Sequence, residues 1–144
     1  MDAETIASML RDDLSEWEQL TKLLDKHSRG SLHGQGSPDW DARDVYAHLA
    51  RWIGRSTDDL EARLEGSTLP TLEGTDDEIN ARWQAEDSGL ALSQARERAQ
   101  EAFERRIRAI QAVPPDRWDS ILEVMARADG SKHYAAHRRS ILNR

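Results

Sequence analysis

Ile6, Met9, Leu10, Leu14, Trp17, Leu20 and Leu24 recur at steps of three and four residues along the start of the chain. That period lines them up on one face of an α-helix from about Ala3 to Lys26, and such a face must be buried against a partner. The pattern returns three times. Val45, His48, Leu49, Trp52, Ser56, Leu60 and Leu64 make the inward stripe of a second helix. Leu92, Ala95, Ala99, Phe103, Ile107 and Ile110 do so between about Leu92 and Ala112, and His133, His137 and Ile141 share one side of a last helix. No segment alternates with the two-residue period of a strand. Four striped helices cover one another as a bundle, so the expected fold class is all-α, a four-helix bundle forming one domain over residues 1–144.

The residues between the stripes mark the helix ends. Gly30, Gly34, Gly36 and Pro38 make the stretch from His27 to Pro38 a loop, with His27 and His33 as exposed loop histidines. Asp41 is a helix cap with Asp44 three residues on, a short-armed capping box, and Trp40 is placed to pack on Val45. Thr75 and Glu78 form a second capping box, which opens a short extra helix with Ile79 and Trp83 on its apolar side. Asp87-Ser88-Gly89 ends that helix, and Val113-Pro114-Pro115 ends the long one, because the residue before a proline is pushed out of helical geometry. Ile121 to Met125 is apolar and expected to be buried, either as a helical turn or as an extended stretch. Asp129-Gly130-Ser131 starts the last helix, with Ser131 as its expected cap.

Composition excludes several classes of function. The net charge of −7 argues against nucleic acid or an anionic membrane as partner, because phosphate binding needs a basic patch. The chain has no cysteine, which removes disulfides, thiolate zinc sites and a catalytic thiol together. Any thiol chemistry must therefore use a small-molecule cosubstrate. The start Met1-Asp2-Ala3-Glu4 has no apolar signal region, and no run approaches the ~18 apolar residues of a spanning helix, so the cytoplasm is the expected location. The mixed charges from Arg96 to Arg108 read as a solvated face. Five tryptophans are expected to leave an apolar patch, a secondary reason to expect a homodimer.

Chemistry concentrates in three histidines. His133 and His137, four residues apart, present their rings on one helix face, and His48 lies on the core stripe of another helix. Two imidazoles at this spacing chelate one ion, and a third from a facing helix supplies another direction. Tyr134 stands where a zincin peptidase needs its glutamate, which excludes that class. Neutral imidazoles suit zinc or nickel, whereas calcium and magnesium demand oxygen ligands. Imidazole protonation should weaken binding below about pH 6. Asp44, one turn before His48, is a cap and also a candidate acceptor for the other ring nitrogen of His48. Asn80 and Trp83 are candidates for a pocket mouth, and Arg138 for an anionic substrate group or an ordinary ion pair.

Trp40-Asp41-Ala42-Arg43-Asp44-Val45-Tyr46-Ala47-His48-Leu49, taken with His133-Tyr134-Ala135-Ala136-His137-Arg138, resembles the DinB-like superfamily of bacterial four-helix bundles. The resemblance implies that His48, His133 and His137 hold a divalent ion, and it is the main reason to expect a homodimer, since relatives of this fold often pair through bundle faces. It also implies either of two functions for a small-molecule substrate. One is a metal-dependent enzyme, a hydrolase or a transferase of a low-molecular-weight thiol such as mycothiol or bacillithiol. The other is a metal-free binding or toxin-resistance protein. Mycothiol-dependent maleylpyruvate isomerases of this superfamily tend to carry glutamate where His133 stands, and many metal-binding relatives have Arg-Gly-Gln where this chain has Arg138-Arg139-Ser140. Glu78-Ile79-Asn80-Ala81-Arg82-Trp83 and the His-Tyr-x-x-His wording are similar to the branch containing self-resistance proteins against colibactin, whose members need not bind metal.

Overall fold

The computed structural model describes residues 1–27 and 40–142. The expected loop at Gly30, His33, Gly34, Gly36 and Pro38 lies outside them. In chain order the helices are α1 (Ala3–Lys26), α2 (Ala42–Leu64), α3 (Asp76–Glu86), α4 (Leu92–Gln111), α5 (Ser120–Arg127) and α6 (Ser131–Leu142), with a 3-10 turn at Pro115–Arg117. There is no strand among the described residues. The four principal helices are those read from the stripes, and α3 is the short extra one.

Local chemistry accounts for where the helices begin. The Asp2 carboxylate accepts the Thr5 N–H at 2.7 Å and opens α1. Both capping boxes form. Asp41 accepts from the Asp44 N–H at 2.9 Å while Asp44 accepts from the Asp41 N–H at 3.1 Å, and Thr75 and Glu78 exchange the same pair of bonds. Gly66 and Gly74 bound the link after α2, with φ of +79° and +99°, the left-handed region that glycine enters without a Cβ clash.

α2 packs chiefly on α4, α1 on α6, and α3 and α5 lie against α2. The larger core cluster is centred on Trp17, Leu20, Tyr46, Leu49, Phe103 and Tyr134. There Trp17 stacks on Phe103 at 4.7 Å and meets Tyr134 edge-on at 5.1 Å. A second cluster, with Met9, Leu60, Ile110, Val113, Leu122 and Ala126, fills the other end. No helix among the described residues is long and apolar enough to cross a membrane.

Five expectations change. Leu14 is exposed, and its place on the buried stripe of α1 is taken by Asp13, which continues the four-residue step from Met9 to Trp17. Arg106 does not belong to a solvated face. It is buried, and its Nη1 donates to Asp13 Oδ2 at 2.6 Å. The stretch from Ile121 to Met125 is helical but only partly buried, because an amphipathic turn hides Leu122 and Ala126 and leaves Ile121 and Val124 in solvent. Ser131 is the first residue inside α6 rather than its cap. The Gly130 carbonyl receives the His133 and Tyr134 N–H groups, and the Ser131 N–H donates to Asp13 Oδ1 at 2.8 Å. An acid from α1 thus caps α6. None of the five tryptophans is exposed, so the apolar patch expected from them is absent among the described residues.

Candidate metal centre

His48 lies on the inward face of α2, two turns into the helix, and His133 and His137 lie on successive turns of α6. The packing of α1 against α6 and the anchoring of Ser131 by Asp13 fix where the first turn of α6 sits. All three rings then turn Nε2 toward one point. His137 Nε2 is 3.0 Å from His133 Nε2, and His48 Nε2 is 3.4 Å from it. The three candidate donor atoms lie within 4.8 Å of one another. Nitrogens bound at about 2.0–2.1 Å are about 3.3 Å apart on a tetrahedron and about 2.9 Å apart at adjacent octahedral corners. The two separations through His133 fit one divalent cation and do not choose between zinc and nickel, and the third pair lies within the 4.8 Å bound.

The donor set passes a second test. A neutral imidazole has one N–H and one lone pair, so three Nε2 atoms facing one another cannot all be satisfied by pairing among themselves. Three lone pairs around a cation can be. His48 Nδ1 and His133 Nδ1 are both buried without a hydrogen-bond partner among the described residues.

Burial sets the protonation state. Desolvation, reinforced by the neighbouring His133, pushes His48 down to about 3. His137 falls well below the ordinary imidazole range for the same reason, with His133 and His48 adding to it. Both are therefore neutral across the physiological range, the form that ligates. Protonation of these two histidines thus lies below the ordinary imidazole range from which competition below about pH 6 was expected. The linkage has a definite sign. The folded imidazoles resist protonation while the unfolded ones accept protons near 6.5, so metal-free stability is complete above that pH and falls as pH drops toward 3. Denaturant titrations of metal-free protein should lose about 1.4 kcal/mol per pH unit for each of the two histidines. The same titration on His48→Asn should show one fewer proton taken up on unfolding, and an unchanged slope would contradict the neutral state.

The surroundings are asymmetric. A narrow cleft beside His48 is lined by Trp40, Asp44, Asn80, Trp83 and Gln84. The Trp40 ring lies 5.0 Å from His48, and Trp52 donates to Asn80 Oδ1 at 2.6 Å while meeting Trp83 edge-on. Asn80 and Trp83 thus both line the cleft. Asp44 does not reach His48. Its carboxylate is taken by the Asp41 N–H and by Arg43 at 2.5 Å, so capping is its role. Arg138 is paired with Glu16 of α1 at 3.1 Å, the ordinary ion pair of the two readings.

Sequence reasoning missed Asp129. Its Oδ1 lies 3.0 Å from His133 Nδ1, and its Oδ2 accepts the Ser56 hydroxyl. The available signal was spacing, since Asp129 precedes His133 by four residues. Ser56 was placed on the inward stripe of α2 without a task.

Residues 14–139 match the family described as the mycothiol maleylpyruvate isomerase N-terminal domain. The chain belongs to that family. It is a DinB-like helical family, as the two histidine segments implied. The mycothiol maleylpyruvate isomerase N-terminal domain match says nothing of the colibactin self-resistance branch. No curated protein and no solved structure matched the chain.

Proposed function

We propose that this chain is a metal-dependent enzyme acting on a small molecule, with His48, His133 and His137 holding one zinc or nickel ion and a low-molecular-weight thiol as cosubstrate. The convergence of three Nε2 atoms from two helices carries this reading. The family name supplies the thiol by analogy, and the absence of cysteine in this chain means that a reacting sulfur has to come from solution.

A divalent ion in this position would lower the pKa of a bound thiol, or of water, toward neutrality. The rest is the work of the chain. His48 and His137, nearly fully buried, hold their nitrogens at fixed directions, while His133 stands at the more accessible edge. Three ligands leave open the further coordination position that a catalytic site requires. Trp40 and Trp83 give the adjoining cleft an apolar wall, but its volume of about 10 Å³ holds no more than a water, so a substrate has to widen the cleft or lie across its mouth. Hydrolysis would use the same site with water in place of the thiol. Homodimeric assembly and a location in the cytoplasm belong to the same proposal, with neither nucleic acid nor membrane as partner.

Elemental analysis of purified protein, before and after chelation, tests the reading. The expected result is about one zinc or nickel per chain, lost with chelator, together with metal-dependent consumption of an electrophile in the presence of mycothiol. Protein that takes up neither metal, and that still binds small apolar ligands after chelation, would favour the metal-free binding or resistance reading instead.

A further inference from the structure

Asp129 is the one non-glycine residue at positive φ among the described residues, at +55°. Aspartate and asparagine tolerate that left-handed conformation better than other side chains. The residue sits in the turn between α5 and α6, followed by buried Gly130; Oδ2 is hydrogen-bonded, and Oδ1 lies at ion-pair distance from His133 Nδ1 without a well-aligned hydrogen bond. Oδ2 accepts the hydroxyl of Ser56 from α2, and Oδ1 faces His133 Nδ1 at 3.0 Å. The carboxylate and the cluster therefore lie on opposite edges of the His133 ring. Asp129 is on the wrong side to share an ion with Nε2, and on the right side to fix which nitrogen carries the proton.

We propose that Asp129 is the positioning residue of the histidine cluster: its carboxylate keeps the His133 proton on Nδ1 and so presents the Nε2 lone pair toward His48 and His137. A carboxylate beside the second nitrogen of a histidine ligand favours the tautomer with the proton on that nitrogen and restrains the direction of the ring. His133 needs this most. His48 and His137 are held by burial, whereas the His133 side chain is 18% exposed and has freedom to turn. Ser56 in turn holds the carboxylate, which links α2, the helix of the first ligand, to the turn that orients the second.

This assignment rests on the metal-site reading, and its test separates the two. Asp129→Asn keeps the left-handed turn and removes the charge; Asp129→Gly relieves the turn and removes the side chain. Ser56→Ala leaves the backbone of the turn alone. The first readout is the tautomer of His133 in the metal-free, 15N-labelled chain, from long-range 1H–15N correlation of ring nitrogens. Wild type should show a proton on Nδ1, and both Asp129 variants a mixture or the other tautomer. The second is zinc affinity by chelator competition. Both Asp129 variants should bind about 10- to 100-fold more weakly, with Ser56→Ala shifted the same way by less. An unchanged tautomer in folded Asp129→Asn and Asp129→Gly, or zinc affinity within twofold of wild type, would overturn the assignment. If wild type binds no zinc, the metal-site reading fails, and the tautomer alone decides the role of Asp129. A collapse of both Asp129 variants leaves Ser56→Ala to decide, and no shift there counts against the assignment.

Discussion

Asp13→Ala is expected to cost about 3–5 kcal/mol of unfolding free energy, the range for breaking a buried ion pair by removing one partner. Asp13 and Arg106 are 1% and 2% exposed, so the remaining guanidinium has no water to replace the lost carboxylate. The damage is twofold, because Asp13 takes Arg106 Nη1 at 2.6 Å on one oxygen and the Ser131 N–H at 2.8 Å on the other, leaving Arg106 its bond from Nη2 to the Ala126 carbonyl. One acid thereby joins α1 and α4 to both sides of the turn before α6. Gly130 belongs to the same arrangement. A Cβ there would lie 2.6 Å from Arg106 Nη2 and 2.9 Å from Asp13 Oδ1, and both atoms are pinned, so Gly130→Ala should also be strongly destabilising. Urea unfolding measures both. The double variant Asp13→Ala/Arg106→Met should recover most of the loss, since apolar replacement of a whole buried pair is often neutral. A single-variant loss below about 1 kcal/mol would show that the pair is solvated or replaceable.

Zinc should raise the melting temperature of wild type by on the order of 10 °C when free metal is about a thousandfold above the dissociation constant. That concentration corresponds to about 4.1 kcal/mol of preferential stabilisation of the folded state, and a domain of this size shifts by a few degrees per kcal/mol. His133→Ala, His137→Ala and His48→Ala should each abolish most of the shift. His133→Ala is the cleanest comparison, because the ring is not fully buried and its removal should leave the smallest cavity. Differential scanning calorimetry at pH 7.5 gives the result directly. Equal shifts in wild type and His133→Ala would mean that the ion binds elsewhere.

The apolar period of the helices was readable because burial on one face leaves a trace in every turn. α1 was bounded to the residue, and Thr75 with Glu78 announced α3, since capping chemistry is local. The histidine triad was readable for a related reason, as two ligands share one helix and the third sits on a core stripe. What hydropathy concealed was charge in the core. Asp13 reads as a surface residue until Arg106 is placed opposite, and the two are 93 positions apart. The mistake about Leu14 followed from it, because the apolar neighbour was assigned the buried place that the acid holds. Ser131 was mistaken for the cap for the same reason: the carboxylate that does the capping comes from another helix. Asp129 was hidden by its turn, where Asp and Gly signal a helix start whatever else they do.

The long reach between the three histidines would give a bound ion a kinetic role. His48 and His133 are separated by 85 positions, and two of the three donors ride on the last helix. An ion held by all three would act as a removable cross-link between the middle and the end of the chain, restricting the unfolded ensemble as other long-range links do. Its escape would then be gated by detachment of α6 as a unit, because no single ring flip releases both His133 and His137. Amide exchange in that helix and metal dissociation would share one opening event, and the buried Asp13–Arg106 pair that anchors the helix would set the rate of both.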